Sequence, residues 1–459
     1  MESHYQTGSD ETVSVVGLGK LGSPLAACLA SKGFRVIGVD ADPQKVKMLQ
    51  AGHAPIFETG LEELTRANHE RLSASSSVEN AVEKSLITFV VVGTPSESSG
   101  NFSLKYVLPV CESIGRALRP KSEFHLIVLT STVTPGSTGG LVKAALERVS
   151  GKTCGVDFGL CYSPEFIALG SVIRDFLNPD FVLIGESDLR SGDILEKLYL
   201  RVCESKPAVA RMNFINAEIT KLAVNSYVTT KISFANMLAR ICERAPGADV
   251  DVVSAALGLD SRIGIRYLKG AIGYGGPCFP RDNRALATFA DSLHVSAGLA
   301  QATHEFNQAQ AKWLADYVAE LGAGRSIGIL GLTYKPDTEV VEEAVGLLLA
   351  QALASRGASV TVYDPAGMPG ARRAIGDSSS SIKFATSAND CIASSQIVVV
   401  TTPWREFNSL AVEDWTGKDG STRIVVDCWR TLKHLANCER IRYIALGRGP
   451  SDEDSKSAS

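Results

Sequence analysis

The apolar positions of this chain gather into short blocks separated by helical patterns. Thr12-Val13-Ser14-Val15-Val16 reads as a short buried strand, and Leu86 to Val92 and Ile397 to Thr402 are nearly unbroken apolar runs. Strands of a parallel sheet, covered on both faces, have this composition. Phe34 to Asp40, His125 to Leu129, Gly159 to Tyr162, Ser359 to Pro365 and Ile424 to Asp427 add further strand candidates, as does the segment opening at Arg325. Helices are predicted over Ser23 to Ser31, which is alanine-rich, and over Val341 to Arg356. The longest helical pattern runs from Asn213 to Glu243 without glycine or proline, with Ile219, Leu222, Ala223, Ser226, Tyr227 and Thr230 at helical spacing. The pattern predicts an α/β protein: a doubly wound unit over 1–205, a helical region over 206–315 and a second doubly wound unit over 316–440. The polar segment 449–459 is expected to be disordered.

The first strand runs straight into Gly17-Leu18-Gly19-Lys20-Leu21-Gly22, and the second ends on Asp40, 18 positions after Gly22. Such a glycine triplet between strand and helix, with an acid at this distance, is the dinucleotide fingerprint in its required context. Gly17 makes the turn, Gly19 lets the backbone approach a pyrophosphate, and Gly22 lets the helix pack on the sheet. Asp40 suits the two ribose hydroxyls and repels a 2′-phosphate, so the expected cofactor is NAD rather than NADP. Asp42 adds negative charge, and Lys45 is grouped with the cofactor residues. The loop Gly93-Thr94-Pro95 and the loop Thr130 to Gly136, with Thr132, follow strands whose carboxyl ends face a cofactor in this topology.

A net charge of −4 with no basic run argues against nucleic acid as a partner. No stretch of about 18 apolar residues predicts a membrane span, and residues 1–11 lack the apolar core of a secretory signal. Ten cysteines without C-x-x-C spacing suggest reduced thiols in a cytoplasm and no metal site. One of them stands apart. Cys278 lies in Tyr274-Gly275-Gly276-Pro277-Cys278-Phe279-Pro280-Arg281-Asp282, where the two glycines allow close approach of a ligand and charges follow the thiol. That is a setting for a nucleophile. Gly331 stands alone in the second αβ unit, without the other two glycines of a fingerprint, so this unit reads as a module for a substrate nucleotide, with Lys335 toward phosphate or uracil.

The order of these motifs resembles the UDP-glucose/GDP-mannose dehydrogenase family of nucleotide-sugar 6-dehydrogenases. The resemblance rests on Gly17 to Gly22, Ser131-Thr132-Val133, Pro164-Glu165-Phe166, Lys221 with Asn225, Gly275 to Asp282, and Gly331 to Pro336, and it covers about residues 12 to 432. It implies an N-terminal NAD-binding Rossmann domain, a central helical dimerisation region and a C-terminal Rossmann-like domain. It also implies a homodimer or higher homo-oligomer and four-electron oxidation of a sugar C6 alcohol, with UDP-glucose to UDP-glucuronate as the first choice. UDP-GlcNAc, UDP-ManNAc and GDP-mannose remain alternative substrates, and an NAD-binding regulatory protein without turnover is the alternative from another class. In the implied chemistry Cys278 forms a thiohemiacetal and then a thioester. Lys221 and Asn225 stabilise the oxyanion, Asp282 handles water or a proton, and Thr132 and Glu165 hold water. Phe166, Arg262, Tyr267, Lys269, Gly275, Lys335 and Arg430 are the further substrate residues implied. Three departures stand out: Leu169 replaces a second family glutamate, Val340 and Glu342 replace an acid and an arginine, and Arg281 replaces a lysine.

Overall fold

The computed structural model describes residues 11–322, 324–376, 381–417 and 420–450. The tail expected to be disordered lies outside them from 451 onward. Gly449 and Pro450 are instead tied down, by Gly449 N–H to the Ala248 carbonyl (2.9 Å) and by Gly247 N–H to the Pro450 carbonyl (3.0 Å).

The chain divides into two compact units, and the boundary falls between Ala223 and Val224. It lies inside one continuous helix, Phe214–Arg244, the long helix expected from the absence of breakers. In the first unit the strands are β1 (Thr12–Val16), β2 (Arg35–Val39), β3 (Leu72–Ser75), β4 (Ile87–Val90), β5 (Leu126–Leu129), β6 (Gly159–Tyr162), β7 (Phe181–Glu186) and β8 (Ala208–Met212). They form one sheet in the order β3-β2-β1-β4-β5-β6-β7-β8, parallel except between β6 and β7. The second unit holds β9 (Ile327–Leu330), β10 (Val360–Tyr363), β11 (Ile382–Phe384), β12 (Ile397–Val400), β13 (Arg423–Asp427) and β14 (Ile441–Ala445), in the order β11-β10-β9-β12-β13-β14. Six strands of each sheet thus follow the doubly wound order 3-2-1-4-5-6, which puts a ligand crevice at the carboxyl ends where the winding reverses. β1 beside β4, and β9 beside β12, mark those two places.

The sheets are held by the runs that announced them. β4, β5, β6, β9 and β12 are buried at every position, and each fully buried Val, Leu or Ile contributes about 1.5–3 kcal/mol. Two expected boundaries move. β8 extends the first sheet past residue 205, and β14 extends the second past 440. Both are edge strands with mostly half-buried side chains, so they carry no apolar run to read. Among the described residues no helix is long and apolar enough to cross a membrane.

Candidate active site

At the mouth of the first sheet, each fingerprint glycine meets a different constraint. Gly17 has φ +104°, and a Cβ there would press on the Val91 carbonyl oxygen. A Cβ on Gly22 would collide with the Gly17 carbonyl oxygen. Gly19 meets nothing of the protein within 4 Å. Two glycines are therefore required by the fold itself, while the third borders open space at a helix N-terminus, where backbone N–H groups favour an anion. Asp40 braces the turn: one carboxylate oxygen accepts Leu18 N–H at 2.7 Å, the other Asp42 N–H at 2.8 Å, with Lys45 Nζ 3.4 Å away. A carboxylate has about four acceptor sites, so capacity remains for a ribose hydroxyl.

The loops after β4 and β5 are stitched to each other. Thr94 Oγ1 donates to the Thr132 carbonyl at 2.7 Å, and Ser131 Oγ to the Val92 carbonyl at 2.6 Å. Glu218 of the long helix, fully buried, anchors the same loop by accepting Gly136 N–H (2.5 Å) and Thr138 N–H (2.8 Å). Sequence reasoning passed over Glu218. Its one signal was its position on the helix face of Lys221 and Asn225, three and seven residues on.

Beyond β6 the structure brings Glu165, Phe166 and Lys221 together. Lys221 Nζ donates to the Glu165 carbonyl oxygen at 2.6 Å and lies 4.4 Å from the Phe166 ring centroid. The Glu165 carboxyl accepts from the Tyr199 hydroxyl at 3.3 Å. Burial pushes that carboxyl up to about 7, against the opposing pull of Tyr199 and Lys221. Leu169 lies in the following turn, where Glu58, also unforeseen, accepts Gly170 N–H and Val172 N–H at 3.0 Å each.

In the second unit Cys278 is the N-cap of the helix Phe279–Ser292, with Pro280 in its first turn. Of the ten cysteines it is the exposed one. Burial pushes Cys28, Cys111 and Cys203 up to about 12, which leaves them inert at neutral pH, whereas a helix N-terminus favours a thiolate. Asp282, one turn on and fully buried, accepts from Asn225 Nδ2 at 2.6 Å and from Arg281 Nε at 3.2 Å. Asn225 thus orients Asp282, a different use from the oxyanion contact expected of it. Asn283 ties the same turn to the long helix through Ser226 and Thr229, and to the Tyr274 hydroxyl at 3.0 Å.

The glycine pair before Cys278 is also explained by protein rather than ligand. A Cβ on Gly275 would strike the Glu343 backbone, and one on Gly276 would lie 2.9 Å from the Tyr334 ring. Gly276 N–H donates to the Glu342 carbonyl at 2.8 Å. The close approach expected at Gly275 is therefore made by the loop that carries Lys335, and the exposed Glu342 side chain stands beside it. Lys335 itself is half-buried, with Nζ 5.9 Å from the Tyr334 ring centroid.

The mouth of the second sheet is closed from within. Gly331 repeats the +104° of Gly17, and a Cβ on Gly346 would strike the Gly331 carbonyl as one on Gly22 would strike Gly17. So Gly331 does not stand alone; its partner comes fifteen positions later, too far for the motif to show. Asp364 occupies the place of Asp40, yet it accepts from Leu332 N, Thr333 N, Thr333 Oγ1, Trp404 Nε1, Ala366 N and Gly367 N, at 2.7–3.1 Å. Six donors exhaust its capacity, and nothing is left for a ribose.

Arg430 corrects its expected role. Its side chain is fully buried, forks onto Asp251 at 2.9 Å twice, and donates to the Gly270 and Leu446 carbonyls at 2.6 and 2.7 Å. Its donors are spent on the fold. Arg262, Tyr267 and Lys269 are exposed in the segment after the helix Val250–Gly258, and the Gly270 carbonyl that Arg430 holds follows Lys269 directly. There Arg262 pairs with Asp260 at 2.6 Å, and Tyr267 holds φ +66°.

Comparison with known proteins fits this arrangement. Residues 11–203 match the NAD binding domain of the UDP-glucose/GDP-mannose dehydrogenase family, 215–309 its central domain, and 328–434 its UDP binding domain. A UDP-glucose 6-dehydrogenase from Haloferax volcanii is 34% identical over 420 residues, covering 90% of this chain and 96% of that protein. A GDP-mannose 6-dehydrogenase from Pseudomonas aeruginosa is 35% identical over 356 residues, covering 77% and 80%. The solved structure of a UDP-glucose dehydrogenase from Pyrobaculum islandicum superposes with a TM-score of 0.86 at 34% identity, covering 96% of this chain and 99% of that one. With all three domains matched in order and relatives of this identity aligned almost end to end, the chain belongs to the UDP-glucose/GDP-mannose dehydrogenase family and is an NAD-dependent nucleotide-sugar 6-dehydrogenase.

Proposed function

We propose that the substrate is UDP-glucose, oxidised at carbon 6 to UDP-glucuronate, with Cys278 holding the sugar between the two oxidations. The observation that carries this reading is the exposed Cys278 at a helix N-terminus, whereas eight of the other cysteines are buried and Cys438 is half-buried. The Haloferax and Pyrobaculum proteins, aligned over most of their length, support UDP-glucose. The first unit fits NAD: the glycine turn leaves room at Gly19, Asp40 keeps acceptor capacity, and Thr94 and Thr132 shape the neighbouring loops. Bound NAD supplies the acceptor for the hydride that carbon 6 gives up in each oxidation.

The chain's own residues do the rest. The Cys278 thiolate adds to the carbon of the first-formed aldehyde, and the C–S bond gives a thiohemiacetal. The Lys221 ammonium stabilises the oxygen as it gains negative charge. After the second oxidation the adduct is a thioester; water adds, the C–S bond breaks, the thiolate departs and the carboxylate is released. Asp282 takes the proton from the thiol or from water, oriented by Asn225 and Arg281. Glu165 and Thr132 hold the water, and Leu169 contributes no proton acceptor. Phe166, Arg262, Tyr267, Lys269 and Lys335 are assigned to the sugar nucleotide. That none of the ten cysteines is in a disulfide suits a reducing cytoplasm.

The partner is a second copy of this chain. Tyr227, Phe234, Met237 and Ile241 form an exposed apolar stripe at helical spacing on the long helix. Stripes of this kind mark interfaces, and symmetric dimers are the commonest assembly. Light scattering should give twice the chain mass, and Phe234→Glu should halve it; a native monomer rejects the assignment.

The functional test is NADH yield from UDP-glucose, UDP-GlcNAc, UDP-ManNAc and GDP-mannose with the purified protein. Two NADH per UDP-glucose is the expected result. One NADH per sugar would reject the thioester, and turnover of a different sugar alone would reassign the substrate.

A further inference from the structure

The hydroxyl of Tyr199 lies between Ser163 and Glu165, inside the first unit. Ser163 Oγ donates to the Leu183 carbonyl at 3.0 Å, Ser163 Oγ and Tyr199 Oη are 3.0 Å apart, and Tyr199 Oη is 3.3 Å from Glu165 Oε1. Ser163 and Tyr199 are both buried. This chain has three links but only two hydroxyl hydrogens, and the Leu183 carbonyl at its end can only accept.

The third hydrogen is present only when Glu165 carries its proton. Then the carboxyl donates to Tyr199, Tyr199 to Ser163, and Ser163 to Leu183. With Glu165 ionised, Tyr199 turns its hydrogen to the carboxylate, and one link toward Leu183 becomes two oxygens facing each other without a hydrogen. Leaving a buried polar contact unmade is costly.

Other groups facing this carboxyl do not provide the missing hydrogen. Lys221 of the long helix spends a hydrogen bond on the Glu165 backbone oxygen and opposes protonation. Cys28 of the helix Gly22–Ser31 and Cys203, which follows the helix Leu189–Val202, are neutral thiols pushed up to about 12 by burial. Burial holds the Tyr199 phenol protonated.

We propose that Ser163 and Tyr199 are positioning residues that set the protonation state of Glu165 in opposite senses: the Tyr199 hydroxyl favours the carboxylate by donating to it, and Ser163, by competing for that hydrogen, favours the uncharged acid. Burial displaces Glu165 upward to about 7, so acid and carboxylate are both populated near neutral pH and a small bias from the two hydroxyls shifts the balance. The inference deepens the reading above and rests on it only where turnover is measured; the titration of Glu165 stands by itself.

Two substitutions separate the hydrogen count from simple packing. Ser163→Ala removes the competitor for the Tyr199 hydrogen, which then serves the carboxylate without loss, so the Glu165 midpoint should fall by about one pH unit. Tyr199→Phe removes the donor to the carboxylate, so the midpoint should rise by about one pH unit. Infrared pH titration of the whole protein reads the carboxyl band, isolated by subtracting the same titration of Glu165→Gln. The pH–rate profile of NADH formation should move in the same two directions. Opposite displacements support the proposal. Displacements of the same sign, or none, overturn it, because a packing defect would lower the melting temperature of both variants without splitting their midpoints. Absence of turnover in the native protein would count against the proposed reaction and leave the infrared result decisive for Glu165.

Discussion

Cys278→Ser should abolish full oxidation while sparing the first step. Acid formation should fall on the order of a thousandfold, the scale of losing an activated nucleophile, and NADH should stop near one per sugar. The physical reason is the nucleophile's acidity. A thiol at a helix N-terminus yields thiolate near neutral pH, whereas a serine hydroxyl in the same place yields almost no alkoxide. The position also isolates the effect. Cys278 is exposed at the start of its helix, so the change of sulfur to oxygen removes no core packing and the melting temperature should hold. Mass spectrometry of the product, alongside NADH yield, checks it. Carboxylate appearing at the native rate would remove Cys278 from the chemistry.

Lys221→Met should cost about 10²–10³ in kcat with little change in KM, the size of a lost oxyanion donor. Methionine keeps the length and the apolar contact with Phe166 but supplies no charge. The same substitution frees the Glu165 carbonyl oxygen, which Lys221 Nζ now contacts at 2.6 Å. Losing a charge-assisted hydrogen bond costs roughly 1.5–3 kcal/mol, so the melting point should also fall. Steady-state kinetics well below that melting point separates the two effects. A rise in KM at constant kcat would reassign Lys221 to ground-state binding. Lys221→Arg should not restore the rate, because the planar guanidinium places its donors differently from a compact ammonium.

The reach of sequence reasoning can be traced through particular elements. β1 and β6 begin and end where the apolar runs do, because a strand buried on both faces has no polar side to disguise it. β3, β8, β11 and β14 lie at or near sheet edges with alternating or half-exposed residues, and they left no comparable trace. The long helix was legible because nothing in it breaks a helix. The unit boundary inside it was not, since Ala223 and Val224 look alike to any local pattern.

The candidate site divides the same way. Gly17, Gly19, Gly22 and Asp40 are recognisable because the ligand they suit is read by one strand–turn–helix segment, and Cys278 and Asp282 because they share one turn. Local order along the chain determined the fold class and the cofactor, and it singled out the nucleophile proposed here. What stands opposite each of those residues was decided only in three dimensions. Glu218 meets Gly136 across 82 positions, Tyr199 meets Glu165 across 34, and Gly346 supplies the missing neighbour of Gly331. The tertiary structure also turned Arg430 into an internal tie and filled Asp364 with six donors. A hydrogen bond needs its partners about 3 Å apart, and sequence separation sets no limit on which residues a sheet brings that close.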